Sequence, residues 1–170
     1  MHAGFRRHFS TTDNLFVLDQ LLERTREYGL PLCLLFIDYE KAFDSVELTA
    51  VFKALIEQGI DTNYVELIKE ANTGCSTDIK LFHRNVRIPI GKGVRQGDPI
   101  SPKLFTACLE KVFREIKWNG GVIINGEQLS HLIFADDVVL ISRNSREMQG
   151  KLEELNKRGK QVGLKINASK

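Results

Sequence analysis

The chain alternates between short apolar runs and longer stretches in which apolar residues recur every three or four positions. Short runs rich in Ile, Val and Phe predict buried β-strands, and the longer period predicts amphipathic α-helices. The predicted strands lie at residues 32–37, 76–83, 86–90, 122–124, 127–129, 132–135, 138–141 and 163–167. The predicted helices lie at residues 13–28, 47–58, 61–71, 103–116 and 145–162. This pattern predicts an α/β (α+β) fold in which an antiparallel sheet packs on helices.

Two adjacent aspartates, Asp136 and Asp137, separate the predicted strands at 132–135 and 138–141. Two residues between two strands predict a tight hairpin, and Asp tolerates turn geometry. Two carboxylates held about 4 Å apart repel each other by roughly 4 kcal/mol at an effective dielectric constant near 20. Uptake of a proton or a cation between the carboxylates would relieve the repulsion. A solvated turn that happens to contain two aspartates is the alternative.

A third carboxylate, Asp38, follows the predicted strand at 32–37 and precedes a turn. Open α/β sheets often place functional sites at such strand ends. If this strand and the Asp136-Asp137 hairpin are neighbours in one sheet, the three carboxylates converge. Their oxygens suit Mg²⁺, and metal-assisted nucleotidyl transfer asks little else of a protein than positioning and charge neutralisation. A capping role for Asp38 is the alternative.

A glycine-rich loop at residues 91–99 precedes the helix at 103–116, with Arg95 and Gln96 as hydrogen-bond donors. Ser101 and the following proline predict the N-cap and the first helical position. A glycine-rich loop that leads into a helix N-terminus can bind phosphate. It is equally compatible with a plain connection.

Composition and charge restrict the function only slightly. The chain has 170 residues, 42% of them hydrophobic and 27% charged, as in an ordinary globular domain. The net charge is +2, but residues 143–170 hold eight Lys or Arg against three Glu, a face that could contact phosphate or simply water. The three cysteines, Cys33, Cys75 and Cys108, are odd in number and lack metal-binding spacing. Nothing in the sequence indicates disulfides, so we expect a reducing compartment. The longest apolar run, residues 30–37, is too short to span a membrane, and we see no signal peptide.

Four segments, in this order, resemble motifs of reverse transcriptases, most closely those of non-LTR (LINE-type) retrotransposons. FIDYEKAFDSV at residues 36–46 is similar to motif A, and GVRQGDPISPKLF at 93–105 is similar to motif B. FADDVVLIS at 134–142 resembles motif C, and GLKINASK at 163–170 resembles the start of motif D. GFRRHFSTTDNLFVL at 4–18 resembles the segment before motif A. The resemblance covers nearly the whole chain, and four motifs in order make it specific.

The resemblance implies an RNA-directed DNA polymerase that transfers nucleotides from dNTPs to the 3′-hydroxyl of a DNA primer on an RNA template. Asp38 and Asp136 would hold two catalytic Mg²⁺ ions, for which Mn²⁺ can substitute, with Asp137 in support. The implied fold is a polymerase palm with part of the fingers.

The resemblance also implies nucleotide-binding residues. The backbone from Tyr39 to Ala42 would follow the triphosphate of the incoming nucleotide. Phe43 would be a steric gate against a ribose 2′-hydroxyl, and a core aromatic is its alternative role. Gln96 and Gly97 would pack on the nucleotide and the template base.

Four basic residues receive less specific roles. Either Lys165 or Lys170 would be the motif D lysine near the pyrophosphate, and the sequence does not decide between them. Arg6 and Arg7 would contact nucleic acid rather than take part in the chemistry.

The resemblance further implies that residues 1–170 are part of one reverse transcriptase domain, without upstream fingers strands or a downstream thumb. We therefore expect weak or no polymerisation by this chain alone. Phe134, where many reverse transcriptases have Tyr, favours the LINE type. A non-catalytic nucleic-acid-binding remnant and a group II intron-type maturase remain alternatives. The family leads us to expect a nuclear protein, while the oligomeric state stays open.

Overall fold

A computed structural model describes residues 11–124 and 126–168. The helices in these ranges are α1 (Thr11–Glu27), α2 (Ala42–Ser45), α3 (Leu48–Glu57), α4 (Thr62–Asn72), α5 (Ser101–Glu115) and α6 (Ser145–Gln161). The strands are β1 (Cys33–Ile37), β2 (Ser76–Leu81), β3 (Arg84–Pro89), β4 (Val122–Ile124), β5 (Glu127–Leu129), β6 (His131–Phe134) and β7 (Asp137–Ser142). The predicted mixture of helices and antiparallel strands is thus confirmed. The short helix α2 has no counterpart in the sequence-based prediction.

The central sheet has three antiparallel strands in the order β1-β7-β6. Strand β1 pairs with β7 from Cys33↔Ser142 to Ile37↔Val138, and β7 pairs with β6 up to Phe134↔Asp137. The prediction that the strand before Asp38 lies beside the aspartate hairpin is therefore confirmed. The other four strands form two separate hairpins, β2-β3 and β4-β5.

Alternation along the strands divides the sheet between two hydrophobic cores. Ile37, Ile133 and Leu140 face the main core, where α3, α5 and α6 supply most of the other buried side chains. On the opposite face of the sheet, side chains such as Leu132 and Ile141 pack against α1 in the second core. Full burial of a Leu, Ile or Phe side chain contributes about 1.5–3 kcal/mol to folding. Because both faces of the sheet bury such side chains, packing against helices stabilises the sheet from both sides. In the described ranges, no helix has the length and apolar character needed to cross a membrane.

Outside the aspartate hairpin, three local predictions are wrong. The β2-β3 turn lies at Phe82 and His83 rather than at Arg84-Asn85, because Phe82 adopts a left-handed φ of +52° and Leu81 pairs with Arg84. The predicted last strand at 163–167 is reduced to one antiparallel bridge, Tyr39↔Ile166.

The third wrong prediction concerns the start of α5. Ser101 is the first helical residue and Ile100 is the N-cap, without a side-chain capping bond. Asp98 performs part of the capping, since its carboxylate accepts a hydrogen bond from the Ile100 N–H and its carbonyl accepts one from the Ser101 N–H. An aspartate upstream of the helix thus replaces the predicted serine cap.

Candidate active site

The three predicted catalytic aspartates lie at one end of the central sheet. Asp38 directly follows β1, Asp136 lies in the turn between β6 and β7, and Asp137 is the first residue of β7. Because Ile37 pairs with Val138, the next residues along the two strands are Asp38 and Asp137. Strand order and register therefore bring residues about 100 positions apart in the sequence to the same sheet end.

The hairpin that carries the aspartates differs by one residue from the prediction. Phe134 pairs with Asp137, so the two turn residues are Ala135 and Asp136 rather than Asp136 and Asp137. The φ angle is +55° at Ala135 and is not positive at Asp136, the pattern of a type II′ turn. As a result, Asp136 is half-buried in the turn and Asp137 is an exposed strand residue.

Asp38 and Asp137 line one open cavity of about 580 Å³ on the face of the sheet opposite the main core. Their neighbours along the strands, Ile37 and Val138, are buried in that core, so the alternation of a strand places the aspartates on the other face. The remaining lining is largely apolar and comes from the sheet and α1: Asn14, Leu15, Leu18, Phe36, Leu132, Phe134 and Val139, with Ile37 and Val138 at its base.

The donor set suits a divalent cation, since Asp38, Asp136 and Asp137 all offer hard carboxylate oxygens. Within residues 11–124 and 126–168, no group of three or more His, Cys, Asp or Glu side chains is arranged to hold a metal ion. The expected convergence of three carboxylates is therefore limited to their place at one sheet end, and a closed three-ligand cluster is not seen. Further ligands for an ion would come from water or from a bound phosphate.

A residue that the sequence analysis did not single out holds Asp38 on its other side. The Asn167 side-chain amide donates a hydrogen bond of 3.1 Å to Oδ2 of Asp38, and the Asn167 N–H donates one of 2.8 Å to the Asp38 carbonyl. The Glu40 N–H donates a bond of 2.8 Å to the Lys165 carbonyl. The segment around Asn167 thus runs beside Asp38 as a short antiparallel partner. The polar residue at the end of the predicted strand at 163–167 was the available signal.

Two residues predicted to lie near the triphosphate, Tyr39 and Lys165, have contacts within the protein that limit how they can bind it. The Tyr39 side chain is only 4% exposed, and burial raises the pKa of its hydroxyl above the usual value. Only its backbone can therefore serve a nucleotide, as the resemblance implies. Lys165 Nζ lies 2.8 Å from a carboxylate oxygen of Glu40, and both side chains are well exposed. Lys170, the other candidate, lies outside the described residues, as do Arg6 and Arg7.

Phe43 is half-buried, and its ring stacks on that of Phe105 with centroids 4.8 Å apart. Phe105 is fully buried in α5, so the Phe43 ring is fixed against the main core. This contact supports the core role of Phe43 and also places a rigid aromatic edge five residues after Asp38. The two roles do not exclude each other.

The loop that resembles motif B is bonded to the segment that resembles motif A. The Gln96 amide donates a 3.0 Å hydrogen bond to the Asp44 carboxylate, and the Val94 N–H donates one of 2.7 Å to the Phe43 carbonyl. Gln96 and its neighbour Gly97 remain exposed, so both can contact a ligand. The sequence analysis did not assign a role to Asp44.

Comparison with known proteins gives the family. The family model for reverse transcriptase (RNA-dependent DNA polymerase) matches residues 2–170. A retrovirus-related Pol polyprotein from the type-1 retrotransposable element R2 of Popillia japonica is 30% identical over 171 residues, covering 98% of this chain and 24% of that protein. Its counterpart from Nasonia vitripennis is 29% identical over 155 residues, covering 91% and 15%. The chain therefore spans a quarter or less of these relatives, and the predicted resemblance to non-LTR retrotransposon enzymes is confirmed.

Solved structures with the same fold include telomerases. Telomerase from Candida albicans, in complex with a fragment of telomeric RNA, has a TM-score of 0.69 at 13% identity and covers 99% of this chain and 31% of that one. Apo telomerase from Candida tropicalis, truncated from the C-terminal domain, has a TM-score of 0.68 at 16% identity and covers 95% of this chain and 34% of that one. At these identities the likeness is one of fold, and it confirms the predicted palm. Since the family match extends from residue 2 to residue 170, the chain belongs to the reverse transcriptase (RNA-dependent DNA polymerase) family.

Proposed function

We propose that this chain is the palm-centred part of an RNA-directed DNA polymerase of the non-LTR retrotransposon type. It would add nucleotides from dNTPs to the 3′-hydroxyl of a DNA primer on an RNA template. The observation that carries the proposal is the placement of Asp38, Asp136 and Asp137 at one end of the β1-β7-β6 sheet, inside a chain of this family.

The reverse transcriptase family uses divalent metal ions, and we assign Mg²⁺, with Mn²⁺ as a substitute, to Asp38 and Asp136. Bound there, two such ions would supply activation of the attacking hydroxyl and neutralisation of charge on the leaving pyrophosphate. The protein's own residues prepare the site. Asn167 orients the Asp38 carboxylate, the turn at Ala135 fixes Asp136, and Asp137 adds negative charge at the exposed strand end.

The same end of the molecule offers contacts for the incoming nucleotide. Phe43, fixed by its stacking on Phe105, would exclude a ribose 2′-hydroxyl by its bulk. Gln96 and Gly97 would contact the base pair that forms. Lys165 would exchange its exposed Glu40 partner for a phosphate oxygen, an exchange that costs little because surface ion pairs contribute at most about 1 kcal/mol.

The test is primer extension by a chimera in which residues 2–170 replace the matching segment of the Popillia japonica R2 polyprotein. We expect Mg²⁺- or Mn²⁺-dependent extension of a DNA primer on an RNA template. Asp136→Asn in the chimera should reduce the rate by at least about a hundredfold, because a neutral amide is a poor ligand for a hard divalent ion.

The isolated chain is assayed beside the chimera, and weak or absent extension is expected from it. Asn63→Ala, which changes an exposed side chain of α4 that has no role in the proposed site, serves as the control and should leave extension by the chimera unchanged. A folded chimera that extends no primer, or one in which Asp136→Asn is as active as the parent, would refute the proposed function.

A further inference from the structure

The hairpin of β2 and β3 projects from the protein with little support from either core. Every residue from Thr77 to Ile90 is exposed, and each strand has only the other as its partner. Its base is held where the Ile90 N–H donates a 2.8 Å hydrogen bond to the Cys75 carbonyl. A two-stranded hairpin is marginally stable in water by itself, so this one is a candidate for stabilisation by a partner.

The hairpin and the loop after it concentrate positive charge. Residues 76–95 contain five Lys or Arg against a single Asp, a local net charge of +4 in a chain whose total is only +2. The basic residues of this segment are Lys80, Arg84, Arg87, Lys92 and Arg95. The rest of the chain is therefore slightly acidic, and the field of this segment favours a polyanionic partner.

An aromatic side chain occupies the tip of the same hairpin. Phe82 is 92% exposed, the largest exposed fraction among the large hydrophobic side chains of the described ranges. Its φ of +52° is unfavourable for a bulky residue, and turns of this kind favour Gly or Asn. Phe82 thus costs free energy in both solvation and backbone conformation, without any packing that offsets these costs. Strain of this kind is concentrated at functional positions.

We propose that the β2-β3 hairpin binds single-stranded RNA, with Phe82 stacking on an unpaired base and the basic residues contacting phosphates. An exposed aromatic beside Lys80, His83 and Arg84 matches the combination of stacking platform and positive charge that single strands require. The proposal rests on the proposed function in one respect, because an RNA-directed polymerase must hold unpaired template. The hairpin is separate in sequence from the catalytic aspartates, so binding and chemistry can fail independently.

Fluorescence anisotropy of the full chain with a labelled 20-nucleotide single-stranded RNA tests the proposal. Phe82→Ala should weaken binding by about fivefold or more, whereas Phe82→Trp should keep the affinity because any aromatic face can stack. Phe16→Ala, which removes another exposed aromatic (64% exposed, on α1), is the matched control and should change nothing.

The charge contribution is measured by the salt dependence of binding. Lys80→Ala with Arg84→Ala should lower the slope of log affinity against log salt by about 0.7 for each phosphate that the variant can no longer neutralise. Lys53→Ala, which removes an exposed lysine of α3, is the control for this measurement and should leave the slope unchanged. A duplex RNA of equal length should bind more weakly, since its bases are not available for stacking.

Several results would overturn the proposal: no measurable binding by the parent chain, equal affinity for the duplex, or parental affinity in Phe82→Ala. A change of oligomeric state in the hairpin variants with unchanged RNA affinity would instead assign the surface to a protein partner. Asp136→Asn separates the two proposals, since it should slow extension by the chimera at least about a hundredfold and leave RNA binding by the full chain intact.

Discussion

Asp38 is held from two sides by parts of the chain that are distant in sequence. On one side it directly follows Ile37, whose pair with Val138 is the last of the β1-β7 register, and on the other it bonds to Asn167 through both side chain and backbone. A carboxylate that accepts hydrogen bonds has a fixed orientation, which matters for a metal ligand because coordination tolerates little angular error. Asn167 is therefore a positioning residue in the proposed site.

Asn167→Ala should weaken Mn²⁺ binding to the chain by about tenfold, the lower end of the effect of removing a partner of a metal ligand. Electron paramagnetic resonance of free Mn²⁺ gives the affinity without requiring activity. The exposed Asn63→Ala is the matched control. Equal Mn²⁺ affinity in the Asn167→Ala variant and the parent would show that the hydrogen bond to Asp38 has no such role.

Sequence reasoning identified the acidic residues at the sheet end and missed what positions them. The preference of Asp for turns favoured a turn at Asp136-Asp137, but pairing of Phe134 with Asp137 moves the turn to Ala135-Asp136. That register depends on packing of both sheet faces, with Ile133 and Val138 in the main core, and a single turn preference carries no such information. The contact of Asn167 with Asp38 joins residues 129 positions apart, so no local sequence pattern could predict it.

Among the elements, the loop before α5 depends on close backbone contact with the segment after β1. A Cβ on Gly93 would lie 2.7 Å from the Asp44 carbonyl oxygen, and the φ of Gly93 is +86°. Gly97 has the same φ, but a Cβ there would meet nothing within 4 Å. The two glycines thus separate the cost of a left-handed backbone from the cost of a steric clash.

Gly97→Ala should lower the free energy of unfolding by about 1 kcal/mol, the cost of a left-handed conformation in a residue with a Cβ. Gly93→Ala should cost at least about 1–3 kcal/mol more, since the loop must also move away from Asp44. Urea denaturation followed by circular dichroism gives both values. Equal destabilisation by the two substitutions would mean that the Gly93 contact relaxes freely.

Most element types were predictable because their apolar periods match their burial, as in α3 and α5. The position of the β2-β3 turn was not predictable, since Arg84-Asn85 is the stronger local turn signal and Phe82 is an unfavourable turn residue. Local preference fails there, and such conflicts are expected where a segment serves binding rather than folding.

At the scale of the whole molecule, an ion-pair cluster joins α3 to α5. Lys111 is only 9% exposed, its ammonium lies 2.8 Å from Glu115, and it also pairs with Glu57. A hydrogen bond from Lys111 lowers the pKa of Glu115 below its usual 4.5. Burial lowers the pKa of Lys111, but hydrogen bonds and charge from Glu115 and Glu57 outweigh this and raise it above 10.5.

The lowered pKa of Glu115 implies a pH-dependent contribution to stability. As pH falls, Glu115 takes up a proton in the unfolded chain before it does so in the folded chain. The contribution of the ionised Glu115 to stability is therefore complete above pH 4.5 and is lost as pH falls through the folded-state pKa. Lys111→Met should therefore cost about 1 kcal/mol at pH 7, because water screens the partly exposed glutamates, and less near pH 3. Urea denaturation at several pH values measures this difference.

Lys53→Met provides the control for this cluster, since Lys53 is 70% exposed and lies 4.0 Å from Glu57. It should have little effect on stability at either pH. A cost of Lys111→Met that stays constant between pH 7 and pH 3 would contradict the assignment of the lowered pKa to this pair.

The strand order β1-β7-β6, together with the bridge at Ile166, also affects how the protein is made. Asp38 leaves the ribosome about a hundred residues before β7, which must then insert beside β1, and Asn167 follows later still. Pairings this distant in sequence make folding slow, and the edge of β1 stays open while synthesis continues. The proposed catalytic centre thus forms only near the end of translation of this segment, and the nascent chain depends during that interval on chaperones or on its own helices to cover β1.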